Sequence, residues 1–99
     1  MQINIPPHLQ STYKLVKCAF PDGIEAENYE SLLALLSEEM SDRNLAAVIA
    51  YYIGKDYSVV LSNIYRVQSI DIPKAEAINN LKKVLLSCGY QDWIDELSS

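Results

Sequence analysis

Apolar residues recur at the spacing of one helix face in almost every segment of this chain. In the second segment they are Tyr29, Leu32, Leu33, Leu36 and Met40, with polar residues on the opposite side. The first segment has the same pattern at Leu9, Tyr13, Val16 and Phe20. Intervals of three and four predict amphipathic α-helices, which must bury their apolar faces against each other.

Helix-breaking residues are few and fall between these segments. The chain has only 3 glycines and 4 prolines, which favours a few long elements over many short strands. We predict that the first helix starts at Pro6-Pro7 and ends before Pro21. The others are predicted over about Ala26 to Glu39, from an N-cap at Ser41 to Gly54, from an N-cap at Asp56 to about Ser69, from Pro73 to Gly89, and as a short helix through Tyr90 and Leu97.

The predicted fold class is all-α, a compact single-domain bundle of five or six short helices. A chain of 99 residues is too short to bury two separate cores. The domain is residues 1–99, with residues 1–6 extended or disordered and the helical core at 8–97. The central core residues are predicted to be Leu32, Leu36, Val48, Ile49, Ile64, Leu81 and Leu85.

Two apolar stretches have a second interpretation. "LLALL" at residues 32–36 matches the L-x-x-L-L pattern of helices that dock into a partner, but its leucines share the core stripe of their own helix. We therefore interpret it as core. The third helix is apolar on nearly all sides, which is typical of a central helix or of an interface between two copies of the chain.

The charge distribution bears on the partner. The net charge is −5, and seven acidic residues but no basic residue lie between Asp22 and Asp42. Nucleic-acid binding needs clustered Lys or Arg, so we expect no nucleic-acid partner. This acidic segment suits a basic protein partner, or serves only as a solvated face.

The sequence contains no recognisable catalytic or metal-binding pattern. His8 is the only histidine, and it has no cysteine or second histidine near it. Adjacent carboxylates such as Glu38-Glu39 point about 100° apart on a helix, so they do not converge on one reacting atom. We expect neither an enzyme nor a cofactor.

Location and cysteine state are predicted together. No stretch is long and apolar enough to cross a membrane, and the first residues do not resemble a signal peptide, so we expect a cytoplasmic protein. Cys18 and Cys88 are the only cysteines. The two thiols could form a disulfide, but in the cytosol two reduced cysteines buried on apolar faces are the commoner outcome, and we expect that state.

Tyrosine is the unusual residue, with seven copies against one Phe and one Trp. Five of them fall on predicted core stripes: Tyr13, Tyr29, Tyr52, Tyr57 and Tyr90. Tyr51 and Tyr65 fall outside the stripes, and "YYIGKDY" places tyrosines around a helix–helix turn. Exposed tyrosine is favoured at interfaces, so the predicted protein-binding residues are Tyr51, Tyr52, Asp56, Tyr57, Tyr65, Glu38 and Glu39.

Several short motifs are spread over residues 20–93: Phe20-Pro21-Asp22-Gly23-Ile24, Asn28-Tyr29, "LLALL", Met40-Ser41-Asp42, and later Asp56, Val60, Ile64, Leu85, Gly89 and Tyr90. They resemble a bacterial family catalogued as domain of unknown function 3349. The chain departs from the family pattern at "YYIGKDYS" and in its more acidic second helix. The resemblance implies a small all-helical domain and no assigned activity.

Nuclease-colicin immunity proteins are a weaker likeness, because only Tyr51-Tyr52 and the acidic charge balance correspond. Three functions stay open at this point. The first is a non-enzymatic protein-binding module, most concretely an immunity or inhibitor protein with a basic partner. The second is a structural or self-associating domain that forms a homodimer through the third helix, and the third is an enzyme or small-ligand binder with a pocket inside the bundle.

Overall fold

The computed structural model describes residues 5–98 as a bundle of six α-helices without strands. A short 3-10 turn at Pro7–Leu9 leads into the first helix. The helices are α1 (Gln10–Ala19), α2 (Ala26–Leu36), α3 (Asp42–Ile53), α4 (Tyr57–Ser69), α5 (Ala75–Leu86) and α6 (Tyr90–Ser98). The predicted all-α fold class is therefore confirmed, and none of the described helices is long and apolar enough to cross a membrane.

Helix α3 packs mainly against α4. It also contacts α1, while α2 contacts both α4 and α5. Helices α3 and α4 run antiparallel, since a short turn joins them and Gln68 near the end of α4 donates a hydrogen bond to Asp42 at the start of α3 (3.0 Å). The apolar residues of α3 are consequently used inside the chain: Leu45, Ala46, Val48, Ile49 and Ala50 are all buried.

The core forms where the apolar stripes meet. All seven predicted central residues are buried, and the leucines of "LLALL" are buried too. Each buried Leu or Ile side chain contributes about 1.5–3 kcal/mol relative to an exposed one, so α2 does not expose these leucines without a large loss of stability. Ile5 belongs to the segment that was predicted to precede the helical core, and it is also buried.

Helix ends follow the predicted signals in most places. Gly54 has a left-handed backbone (φ 72°) and ends α3, and both Gly54 and Lys55 donate backbone hydrogen bonds to the Ala50 carbonyl (2.9 and 3.1 Å). Asp56 occupies the N-cap position of α4, but its side chain makes no capping hydrogen bond. Helix α2 ends at Leu36 rather than Glu39, because residues 37–39 form a tighter turn.

Ser41 caps α3 as predicted, since its hydroxyl accepts a hydrogen bond from the Asn44 backbone N–H (3.2 Å). Replacing Ser41 with Ala should lower the free energy of unfolding by about 1 kcal/mol, because that N–H loses its partner. Urea denaturation measures the change. Ser62→Ala is the matched control, since Ser62 is exposed within α4, and it should leave stability unchanged or slightly higher. Equal losses in the two variants would contradict the capping role.

The expectation of two reduced, buried cysteines is wrong. Cys18 and Cys88 form a disulfide with Cα atoms 5.9 Å apart. Cys18 is exposed and Cys88 is half-buried. The fold brings them together because α1 packs against both α5 and α6, and Cys88 lies in the turn between those two helices.

Candidate protein-binding surface

The exposed apolar side chains concentrate on α4 and the loop that follows it. Among the described residues, nine large apolar side chains are well exposed, and five of the nine lie within residues 57–72. These five are named the α4 surface: Tyr57, Val59, Tyr65, Ile70 and Ile72. A concentration of exposed apolar side chains in one segment marks interaction sites more often than single residues scattered over the surface do.

The helical period explains why α4 presents these side chains. Its inner line is Val60, Ile64 and Val67, all buried. At about 100° per residue, Val59 and Tyr65 lie on opposite flanks of that line, roughly 80–160° around the helix from its residues. No other described helix covers them, and Tyr65 remains 50% exposed.

The loop after α4 is held in place although its isoleucines face solvent. The backbone N–H groups of Ile70 and Asp71 both donate to the Arg66 carbonyl at 2.8 Å. The Arg66 side chain donates to Asp71 Oδ2 from Nε (3.1 Å) and Nη2 (2.7 Å). Ile70 and Ile72 flank this ion pair with 75% and 66% of their surface exposed. These hydrogen bonds tie the loop backbone at Ile70 and Asp71 to the end of α4, while the two isoleucine side chains extend into solvent.

A depression of about 310 Å³ lies between α2 and the end of α4, and it meets the α4 surface at Asp71, between Ile70 and Ile72. Glu30 of α2 lines it together with Asn63, Arg66 and Asp71. Asn63 donates a hydrogen bond to the Tyr29 hydroxyl (2.9 Å). Burial raises the pKa of Tyr29, and the Asn63 hydrogen bond offsets part of that rise. Acidic and amide groups thus lie at the edge of an otherwise apolar surface.

The adjacent tyrosines of α3 have different environments. The Tyr51 ring meets the Tyr13 ring edge to face, with centroids 5.5 Å apart, and it remains 37% exposed. Tyr52 is half-buried, and its hydroxyl donates to the Phe20 carbonyl. Burial is the main cause that raises the pKa of Tyr52. Tyr51 is therefore the more accessible of the two to a partner.

Glu38 and Glu39 lie elsewhere. They precede α3, whereas Tyr51 is near its end, so roughly 14 Å of helix separates the two positions. Burial is the main cause that raises the pKa of Tyr90, and the carboxylates of Glu39 and Glu38 raise it further. The two carboxylates therefore lie near Tyr90, at the start of α6. They do not join the tyrosines around the α3–α4 turn.

The predicted site is therefore divided. Tyr57 and Tyr65 belong to the α4 surface, and Asp56 and Tyr51 lie at its α3–α4 end. Tyr57 was predicted to point inward, which is wrong: it is the first residue of α4, at the end of the bundle, and is 41% exposed. Val59, Ile70 and Ile72 were not predicted as binding residues, although the two isoleucines lie beside Asp71 and ahead of Pro73, which is typical of an extended loop.

Comparison with known proteins identified no relative of this chain. No family model matches the chain, and neither a curated protein nor a solved structure is significantly similar to it. The resemblance to the family of domain of unknown function 3349 stays a prediction.

Proposed function

We propose that this protein is a non-enzymatic protein-binding module that contacts a basic protein partner through the α4 surface. The observation that carries the proposal is the concentration of exposed apolar side chains there, two of them tyrosines. Tyrosine is enriched among the residues that dominate binding energy. Its ring offers large apolar area together with a hydroxyl that hydrogen-bonds at the interface rim.

The hydrogen bonds that hold the loop after α4 support the same function. Association costs free energy for every side chain and loop that must be ordered. Here Ile70 and Ile72 extend from a loop already held by the Arg66–Asp71 pair and two backbone hydrogen bonds. Tyr57, Val59 and Tyr65 project from a helix whose other side is buried. A partner would therefore meet a surface that needs little further ordering.

Charge supports a basic partner. The chain carries a net charge of −5, and Glu30 and Asp71 line the depression beside the α4 surface. Complementary charge around an apolar centre raises the association rate and selects against acidic proteins. We therefore expect the affinity to fall as the salt concentration rises.

An immunity-type inhibitor of a basic toxin is one specific form of this proposal. The likeness to colicin immunity proteins depended on Tyr51 and Tyr52 acting together, and Tyr52 is half-buried with its hydroxyl engaged. Charge balance is the remaining support for this form. An immunity-type function predicts that a toxin gene lies directly beside the gene for this protein.

No specific observation favours the homodimer through α3. The apolar residues at the centre of that helix are buried within the chain itself, so they offer little surface to a second copy. The homodimer and the cytoplasmic location stay predictions.

The test compares two surfaces of equal type. A Tyr65→Ser/Ile70→Ser variant removes two side chains of the α4 surface. Its matched control is Val84→Ser/Leu86→Ser on α5. Val84 is 41% exposed and Leu86 is 49% exposed. A partner captured by the wild type should bind the α4 variant about 30-fold more weakly or worse, since loss of even one interface anchor costs about 2 kcal/mol.

The control variant should bind that partner as the wild type does. Isothermal titration gives both affinities, and circular dichroism confirms that each variant is folded. Unchanged binding by the α4 variant, or an equal loss in the α5 control, would overturn the proposed surface. Binding that is insensitive to salt would overturn the basic character of the partner.

A further inference from the structure

The Cys18–Cys88 disulfide lies at the surface of the protein rather than in its core. Cys18 is exposed near the end of α1, and Cys88 is half-buried in the turn between α5 and α6. Neither belongs to the cluster of buried residues that forms the core. A surface disulfide is accessible to a thiolate, and access is one of the factors that set the rate of thiol–disulfide exchange.

A depression of about 420 Å³ lies directly against the disulfide. Both cysteines line it, together with Ser11, Lys14, Gly89 and Asp92. Lys14 lies one helical turn before Cys18, so the two side chains share a side of α1. A small thiol or the cysteine-bearing loop of another protein has room to approach the sulfur atoms here.

The surrounding helices are also joined by contacts that do not involve sulfur. Trp93 Nε1 of α6 donates a buried hydrogen bond to Thr12 Oγ1 of α1 (2.9 Å). Leu15 of α1 and Leu85 of α5 are both buried in the common core. These contacts would keep α1, α5 and α6 together after the disulfide opens, and the two thiols would stay near each other.

We propose that Cys18–Cys88 is a reversible thiol–disulfide exchange site that reacts with dithiols while the protein remains folded. The proposal concerns a part of the molecule away from the α4 surface and is independent of the proposed binding function. The substrate class is a dithiol, either a small molecule or a pair of cysteines on a redox protein.

The reaction conserves atoms and electrons through two exchanges. A thiolate of the dithiol attacks Sγ of Cys18, the more exposed residue, and the Cys18–Cys88 bond breaks. Its electron pair leaves on Cys88 Sγ, which takes a proton from water. The second thiol of the reagent loses its proton and attacks the reagent sulfur of the mixed disulfide. This attack releases Cys18 as a thiolate, which then also takes a proton from water. The protein gains two electrons and two protons, and the dithiol becomes its own disulfide.

Dithiothreitol is the probe for the test. The folded protein is treated with it, quenched with N-ethylmaleimide and weighed by mass spectrometry. We expect two added maleimides, a rate proportional to the dithiothreitol concentration and no change of that rate in urea below the unfolding transition. Far-ultraviolet circular dichroism should remain helical, and removal of the reagent in air should restore the disulfide.

Single variants test the order of attack. In Cys88→Ser the remaining Cys18 should react with a disulfide reagent several-fold faster than Cys88 does in Cys18→Ser, because Cys18 is the more exposed. Labelling that appears only in denaturing urea would overturn the proposal, since it would mean that the bond opens only after unfolding. Equal reactivity of the two cysteines would overturn the assignment of Cys18 as the attacked sulfur.

Discussion

Removing the disulfide should lower the free energy of unfolding by about 4 kcal/mol. Cys18 and Cys88 are 70 residues apart in sequence, and a cross-link that closes a loop of this length restricts the unfolded chain strongly. The loss is large for a domain whose total stability is about 5–15 kcal/mol. A majority of molecules should nevertheless stay folded at 25 °C, which the proposed exchange reaction requires.

Urea denaturation with and without dithiothreitol measures this difference. The Cys18→Ser/Cys88→Ser variant is the control, because its stability should equal that of the reduced wild type and should not respond to the reagent. If the reduced and oxidised wild-type proteins unfold at the same urea concentration, the disulfide does not stabilise the fold.

Replacing Trp93 with Ala should cost about 3–5 kcal/mol. Trp93 is only 3% exposed and stacks on Tyr90 with ring centroids 5.7 Å apart. Loss of a buried aromatic side chain removes its packing and leaves a cavity. The Thr12 hydroxyl would also lose the indole N–H as its partner in a fully buried position.

A double-mutant cycle separates the hydrogen bond from the packing. Trp93→Phe retains a ring but leaves the Thr12 hydroxyl unpaired, which should cost about 1–3 kcal/mol. Adding Thr12→Val to that variant replaces the unpaired hydroxyl with a methyl group and should recover part of the loss. The cycle is measured by urea denaturation. Strictly additive effects of the two changes would show that the buried hydrogen bond contributes nothing.

The helices were predictable because each leaves a local signal in the sequence. The stripe that includes Leu32 and Leu36 and the cap at Ser41 depend on neighbours three or four residues away, and all three are found as predicted. Asp56 shows the limit of such signals. It lies at the predicted N-cap position, but whether its side chain turns back to the helix depends on a rotamer that the sequence does not specify.

The cysteine pairing could not be predicted, because it depends on tertiary packing between positions 70 residues apart. The exposure of Cys18, in contrast, could have been predicted from its local sequence. Cys18 lies two residues after Val16, about 200° around α1 from a buried position, so its exposure follows from the helical period. Cys88 continues the stripe of Leu81 and Leu85, but α5 ends at Leu86, and Cys88 packs against the core only partly buried, from the turn that follows.

The candidate surface was predicted in part. Tyr51 and Tyr65 were correctly placed outside the core stripes, since periodicity assigns exposure as well as burial. The exposed isoleucines were missed because large aliphatic residues are normally buried. Only the Arg66–Asp71 ion pair and the backbone hydrogen bonds to Arg66 show that Ile70 and Ile72 are held at the surface.

Carbene footprinting of the protein, alone and with a captured partner, tests the proposed binding surface most directly, because it reports which side chains a partner covers. In the complex we expect reduced labelling of the five side chains of the α4 surface: Tyr57, Val59, Tyr65, Ile70 and Ile72. Val84 and Leu86 of α5 should be labelled equally in both samples. Protection of the α5 side chains with unchanged labelling of residues 57–72 would contradict the assignment of the α4 surface as the site of protein binding.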